Sequence, residues 1–277
     1  MLYKLYHQRL GHCGQCILSI IHKHIKGIPK LKGNAFYICP SCALAKITQH
    51  KLTTHTSSYD DNPNSHSLIL PALNPDFLDL ISSQHMDDII CGEHFYLDFR
   101  FPRGKYIQKD EIGRRFTSID KYNSYLLIID HKSSYTWIML AKSKHPPLEF
   151  LKQFFAHHSR KQGRQIITTD KGGELHNSLQ FRELVTANGY LLQPTATDAP
   201  FQNRLAKHLN QTYSNVMRCM LHAVNLPPEF WYFALIHAVK IKNMLPHVST
   251  GATPHLLYTG NRPTADNLCI LGCRIYI

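Results

Sequence analysis

Gln165-Ile166-Ile167-Thr168-Thr169-Asp170-Lys171-Gly172-Gly173-Glu174 is a β-branched run that ends on an acid and enters a double-glycine turn. β-Branched residues fit a pleated, half-buried strand, and glycine supplies the turn that follows. An aspartate at such a strand end either caps the turn or is held there for chemistry, and the strand alone leaves both open. The same grammar recurs on either side. Glu93-His94-Phe95-Tyr96-Leu97-Asp98-Phe99 reads as a strand with an acid inside it, and acids are rare in buried strands. Tyr125-Leu126-Leu127-Ile128-Ile129-Asp130 and Tyr135-Thr136-Trp137-Ile138-Met139-Leu140 read as two more strands joined by a short polar turn. Helical spacing holds from Leu148 to Arg160 and from Ser178 to Asn188, where Gly189 is the stop, and Tyr190-Leu191-Leu192-Gln193 is a further strand. A long helix is predicted from about Asn203 to Val224, with Leu205, Leu209, Val216, Met220 and Ala223 on one stripe. A last helix begins at Pro227-Pro228-Glu229, where proline is tolerated, and carries Trp231, Leu235, Ile236 and Val239. The alternation predicts a mixed α/β layer fold, a central sheet with helices on its faces.

Upstream of this region the grammar changes. Residues 1–50 are rich in His, Cys and Lys, with Ile17, Ile20, Ile21 and His24 at helical spacing and Gly27 as the stop. Residues 51–92 carry turn formers with no period and read as a linker. Residues 93–250 form the α/β unit, and 251–277 a truncated C-terminal extension ending in an apparent strand. His7 and His12 together with the Cys39-Pro40-Ser41-Cys42 pair offer four N/S donors, the set that suits tetrahedral zinc. A segment of about 45 residues buries too little core to stand alone, so a metal staple is physically motivated. A rival set exists: Cys13-Gly14-Gln15-Cys16 with Cys39 and Cys42 would make a four-cysteine site. Spacing leaves both open, beside unligated thiols in a small core.

The 277 residues hold one large domain, or one of ordinary size plus a small one. A hydrophobic share of 43% supports a packed core and excludes a disordered chain. The formal charge of +12 points to a polyanionic partner, nucleic acid first, with a nonspecific basic surface as the other reading. No apolar run approaches the roughly 18 residues of a membrane span. The N-terminus lacks an apolar stretch with a small-residue cleavage site, so an intracellular chain is expected. Four of the eight cysteines fall between positions 13 and 42, which in such a chain favours metal over disulfides.

A family resemblance joins these pieces. Tyr6-His7-Gln8-Arg9-Leu10-Gly11-His12, followed by Cys39-Pro40-Ser41-Cys42-Ala43-Leu44-Ala45-Lys46, resembles the pre-integrase zinc module of copia-type retrotransposon polyproteins. Asp98-Phe99-Arg100-Phe101-Pro102, Ile129-Asp130-His131, Asp170-Lys171-Gly172-Gly173-Glu174 and Gln202-Asn203 follow the order of the copia-type integrase core. So do Asn225-Leu226-Pro227-Pro228-Glu229-Phe230-Trp231, Ala252-Thr253-Pro254-His255 and Leu271-Gly272-Cys273-Arg274. The likeness covers nearly the whole chain and is weakest over 51–92. It implies a ribonuclease-H-like mixed sheet flanked by helices, preceded by a small helical zinc-binding module. It implies zinc on His7, His12, Cys39 and Cys42, with no role for Cys13 or Cys16. It also implies a D,D,E triad that holds Mg²⁺ or Mn²⁺ for 3′-end processing and strand transfer on DNA.

Matched residue by residue, the triad is Asp98, Asp170 and, in the glutamate slot, Lys207. Lys207 lies 37 residues after Asp170, one more than the family's usual spacing, and no glutamate occurs between Glu183 and Glu229. Asp198 is too far from the slot to be a natural substitute. Lys207, Asn210, Ser214 and Arg218 recur every three to four residues, opposite the apolar stripe, so Lys207 is expected to face the site. A unit-charge pair about 4 Å apart is worth about 4 kcal/mol at an effective dielectric near 20, and a divalent ion roughly doubles that. Losing a ligand while adding repulsion predicts weakened Mg²⁺ binding at Asp98 and Asp170 and inactive chemistry. Lys171, Arg204 and His131 also depart from the family's asparagine, glycine and aspartate. With Lys207 and Arg218, the cations Lys171 and Arg204 are candidate contacts to a nucleic-acid backbone. The expected partner is DNA, with no membrane association; a homo-oligomer is compatible with the resemblance, and a functional protein would act in the nucleus. Two further readings stay open: a domesticated non-catalytic DNA-binding protein, and a zinc-stapled interaction module.

Overall fold

The computed structural model describes residues 2–31, 37–46, 90–102, 117–143, 145–159, 165–170, 173–195, 204–247 and 250–273. Most of the expected 51–92 linker, the expected strand at 274–277, and Asp198 and Lys171 lie outside these residues, as does the side chain of Arg204.

Five strands form one sheet in the order β3-β2-β1-β4-β5. They are β1 (His94–Arg100), β2 (Ser124–Asp130), β3 (Thr136–Ala141), β4 (Gln165–Thr169) and β5 (Tyr190–Pro194). β1, β2 and β3 pair antiparallel, while β4 lies parallel to β1 and to β5. This is the ribonuclease-H-like mixed sheet that the resemblance implied. Antiparallel neighbours need no crossover, and only residues 131–135 separate β2 from β3, whereas each parallel pairing requires a helical crossover. Those crossovers are α4 (Leu148–His158) and α5 (Leu179–Ala187). Every residue of β2 is buried, which explains why its sequence reads as an unbroken apolar run rather than an alternating one.

The pleat divides β1 between two cores. Phe95 and Leu97 join Leu126, Ile128 and Ile167 beneath α4 and α5, where Leu151, Phe155 and Phe181 are fully buried. Tyr96 and Asp98 point to the other face, which Tyr125, Leu127 and Ile129 share. That face is covered by α6 (Arg204–Ala223) and α7 (Trp231–Met244), with a 3₁₀ turn at Pro228–Phe230 leading into α7. Leu209, Tyr213, Trp231 and Leu235 anchor the two helices there.

The same core continues into the N-terminal region. Tyr6, Leu10, Leu18, Ile21 and Ile25 are buried with the residues of α6 and α7. They come from α1 (Leu2–Arg9), α2 (Gln15–Ile20), a 3₁₀ turn at Ile21–Lys23 and the residues that directly follow α1 and that turn, with α3 (Pro40–Lys46) packed on α6. The helix expected through His24 tightens after Ile20 and stops at Lys23, so Gly27 (φ +83°), expected as its stop, lies four residues beyond its end. A short α8 (Pro254–Thr259) is capped by the Thr253 hydroxyl, which accepts from Leu256 N–H, and by Gly260 in the left-handed conformation. The chain after α8 returns to the N-terminal region, where Lys26 bridges to Thr264 and Arg262 donates to the His22 carbonyl.

Candidate metal centre and neighbouring cleft

Four donors converge where α1 ends and α3 begins. The ligand atoms of His7, His12, Cys39 and Cys42 all lie within 4.8 Å of one another. Cys39 Sγ is 3.4 Å from His12 Nδ1, and Cys42 Sγ is 3.4 Å from His7 Nε2 and 3.6 Å from His12 Nδ1. Ligand bonds of about 2.0–2.3 Å around one tetrahedral ion give edges of about 3.5 Å, so the set fits a zinc-sized cation. The backbone is shaped for this. Gly11 (φ +64°) and His12 (φ +59°) are both left-handed, turning the chain back so that His12 faces the histidine on the preceding helix. His7 Nδ1 lies 3.0 Å from the Cys13 carbonyl, which fixes the tautomer that leaves Nε2 free as a donor to metal. Cys13 thus contributes its backbone, while its thiol is buried away from the four donors; Cys16 is exposed and outside the group. Among the described residues this is the one group of three or more His, Cys, Asp or Glu side chains gathered closely enough for a metal.

The second site lies where β1 and β4 end against α6. Asp98 is buried, and its Oδ2 accepts from Asn210 Nδ2 at 2.6 Å and from Arg100 Nε at 2.9 Å. Arg100 is two residues further along the strand and so shares the face of Asp98. Asn210 is held in turn: the Tyr125 hydroxyl donates to Asn210 Oδ1 (3.3 Å), which directs the amide N–H₂ at the carboxylate. Burial pushes the Asp98 carboxyl up, the charge and hydrogen bond of Arg100 oppose that, Asp170 adds to the rise and Lys207 relieves it. The electrostatics therefore join Asp98, Asp170 and Lys207 in one neighbourhood. Asp170 itself is exposed at the end of β4, and its carbonyl accepts from Gly173 N–H.

An open cleft of about 500 Å³ runs past this group, lined by Phe99, Arg100, Phe101, Tyr125, Glu174, Lys207, Asn210, Ser214 and Arg218. Lys207 is exposed on its wall, and the polar row Lys207, Asn210, Ser214 and Arg218 faces the cleft as the helical spacing predicted. Asn215 Oδ1 accepts from Arg218.

A search of the curated proteins returns sequences of one kind. The chain is 26% identical over 275 residues to the retrovirus-related Pol polyprotein from transposon TNT 1-94 of Nicotiana tabacum, spanning 98% of this chain and 18% of the relative. It is 25% identical over 175 residues to each of the Pol polyproteins from transposons RE2 and RE1 of Arabidopsis thaliana. Its homologues are retrovirus-related Pol polyproteins of plant copia-type transposons. This chain spans less than a fifth of the length of those relatives. No family model matches it. Solved structures with a similar fold include an intasome of simian T-cell lymphotropic virus with a PP2A regulatory subunit (TM-score 0.46, 16% identity, 68% of this chain and 60% of that one). Another is the HTLV-2 integrase catalytic core in complex with magnesium, in a trimeric form (TM-score 0.43, 18% identity, 61% of this chain and 98% of that one).

The residues that the sequence resemblance matches to a triad, Asp98, Asp170 and Lys207, do not fit a pair of divalent cations. Such a pair needs carboxylate oxygens facing a shared space. Here one oxygen of Asp98 is engaged by a guanidinium and an amide, and the third position carries an ammonium. Sequence reasoning singled out Asp98 and Asp170 but not Arg100, Tyr125 and Glu174, which line the adjoining cleft. The period-two pattern of β1 could have flagged Arg100, since residues 98 and 100 must share a face. Glu174 closes the Asp170-Lys171-Gly172-Gly173-Glu174 motif and could have been flagged by it, whereas nothing local ties Tyr125 to the site.

Proposed function

We propose that this chain is the zinc-module and core region of a retrotransposon integrase that binds nucleic acid but does not join DNA strands. The observation that carries the reading is Lys207, which lines the same cleft as Arg100 and Asn210 and acts electrostatically on Asp98. In the family the resemblance names, that position holds the third metal-binding carboxylate. Zinc bound by His7, His12, Cys39 and Cys42 would supply no chemistry; it would tie α1 to α3 and hold both against α6. His7 and His12 would bind it as neutral imidazoles, with His7 oriented by the Cys13 carbonyl.

DNA is the favoured polyanion because the cleft combines three cations, Arg100, Lys207 and Arg218, with the aromatic rings of Phe99, Phe101 and Tyr125. Guanidinium groups pair with phosphate oxygens in a fixed fork, so Arg100 and Arg218 suit a sugar–phosphate chain. The formal charge of +12 extends that attraction beyond the cleft.

One labelled-duplex experiment tests both halves. Duplex affinity is expected to fall steeply with salt, with a log–log slope of several phosphate contacts at about 0.9 per contact. No strand-transfer product is expected with Mn²⁺ under the same conditions. Strand transfer by the unaltered chain, or absence of duplex binding at low salt, would each overturn the corresponding half.

A further inference from the structure

The Asp98 carboxylate already has a cation of its own. Arg100 Nε lies 2.9 Å from Asp98 Oδ2, and the Asn210 amide lies 2.6 Å from the same oxygen on its other side. Both donors are fixed by the fold rather than by chance contact. Arg100 is tied to the carboxylate by the two-residue repeat of β1, which places both side chains on the sheet face toward α6. Asn210 is oriented by a hydroxyl from the neighbouring strand, since Tyr125 on β2 is Arg100's cross-strand partner. Asp98 is 8% exposed, so an unpaired carboxylate there would be costly, and the arginine offsets that cost. A divalent ion at Asp98 would have to displace the guanidinium from the carboxylate or share it with a fixed positive charge.

We infer that Arg100 is the built-in counter-cation of Asp98, standing in for the divalent metal, and that it closes the site to Mg²⁺ or Mn²⁺ independently of Lys207. The inference rests on reading the cleft as a former two-metal centre. It separates two obstacles: Lys207 removes a ligand and adds repulsion across the cleft, while Arg100 occupies the remaining buried ligand. Restoring the glutamate alone therefore leaves the metal site shut. The guanidinium that neutralises Asp98 also lines the cleft wall, where its outer nitrogens are available to an anion; the Arg100 side chain is 40% exposed. The cleft is accordingly built to receive phosphate against arginine and lysine rather than against a bridging metal.

The test is Mn²⁺ binding to the full chain with its zinc site saturated, followed by calorimetry and by electron paramagnetic resonance. The unaltered chain, Arg100→Gln and Lys207→Glu are expected to bind Mn²⁺ alike, within threefold. Arg100→Gln combined with Lys207→Glu is expected to bind at least tenfold tighter. Arg100→Lys combined with Lys207→Glu keeps the charge and is expected to stay closed. Arg100→Leu serves as the second replacement if the glutamine variant does not fold, with zinc stoichiometry and circular dichroism as the folding check. Lys207→Glu alone matching the double variant would overturn the inference. So would a folded double variant no better than Lys207→Glu, or an Arg100→Lys double variant that opens the site. Duplex binding by the same proteins separates this result from the proposed function: its absence removes the nucleic-acid reading and leaves the metal comparison standing.

Discussion

His94 and Asp98 sit four residues apart on one face of β1, and burial acts on their ionisation in opposite directions. It pushes the Asp98 carboxyl up and drives the His94 imidazole down to about 4, with His131 beside it adding to the fall. His94 Nε2 lies 2.8 Å from the Thr168 hydroxyl, and its Nδ1 lies 3.1 Å from Nδ1 of His131, itself shifted down by burial. One of these two ring nitrogens must donate and the other accept, so the pair is built for neutral rings. A depressed histidine leaves stability fully intact above its unfolded value of about 6.5 and loses it as pH falls toward the folded value. Asp98 carries the reverse sign, its contribution weakening as pH rises above the ordinary aspartate value. The urea midpoint is therefore expected to fall between pH 7 and pH 4.5, and His94→Gln is expected to flatten that slope. Parallel slopes for the two proteins would count against this assignment. Of these residues only Asp98 was legible in the sequence, because an acid in an apolar strand stands out, whereas a histidine in a strand has no such contrast.

α6 is the element on which both sites depend. One face presents Lys207, Asn210, Ser214 and Arg218 to the cleft, while Leu209, Tyr213 and Met220 are buried in the shared core. The helix was plain in the sequence, since its apolar stripe and polar row are both locally encoded. What packs on the buried face was not. Gly11 comes within van der Waals range of this helix and of α7: a Cβ there would lie 2.9 Å from Met220 Cε and 3.1 Å from Val216 Cγ1 on α6, and 3.5 Å from Ile241 Cδ1 on α7. Its positive φ alone would cost an alanine about 1–2 kcal/mol, and overpacking adds about 1–3 kcal/mol. Gly11→Ala is expected to destabilise the chain by about 2–5 kcal/mol and to weaken metal retention through the adjoining His12. Denaturant melts and zinc release against a chelator measure the two effects, and an alanine variant of unchanged stability would refute the contact. α1, α3 and α8 escaped the sequence reading because each has eight residues or fewer, too short for a helical period to emerge.

At the scale of the molecule, the N-terminal helices and the sheet-covering helices form one apolar cluster rather than two. Leu10, Leu18 and Ile21 have no exposure at all, and their burial is completed by α6 and α7. Metal bound at His7, His12, Cys39 and Cys42 is thus linked to the stability of the whole α/β unit and not only to that of the first helices. Chelation is expected to lower the melting temperature of the tryptophan signal, which reports Trp137 on β3 and Trp231 on α7, and not merely to unfold α1 and α3. A tryptophan melt indifferent to chelator would show that the two parts are energetically separate.

Spacing left the partners of Cys39 and Cys42 open between His7/His12 and Cys13/Cys16. The sequence by itself determined the secondary elements of the α/β unit, the Cys39/Cys42 pair and the cation at position 207. Each of these is written in local periodicity or in short spacing, which neighbouring residues enforce without help from the rest of the chain. Only the tertiary structure decided that Arg100 and Asn210 close on Asp98, that Tyr125 orients Asn210, and that Glu174 shares the cleft. It also decided that Gly11 packs against Met220 and Val216 of α6. These contacts join residues that are far apart in the chain, or on a shared strand face that only the burial of one side selects. Their energies come from packing and from desolvated charge, which no local pattern records.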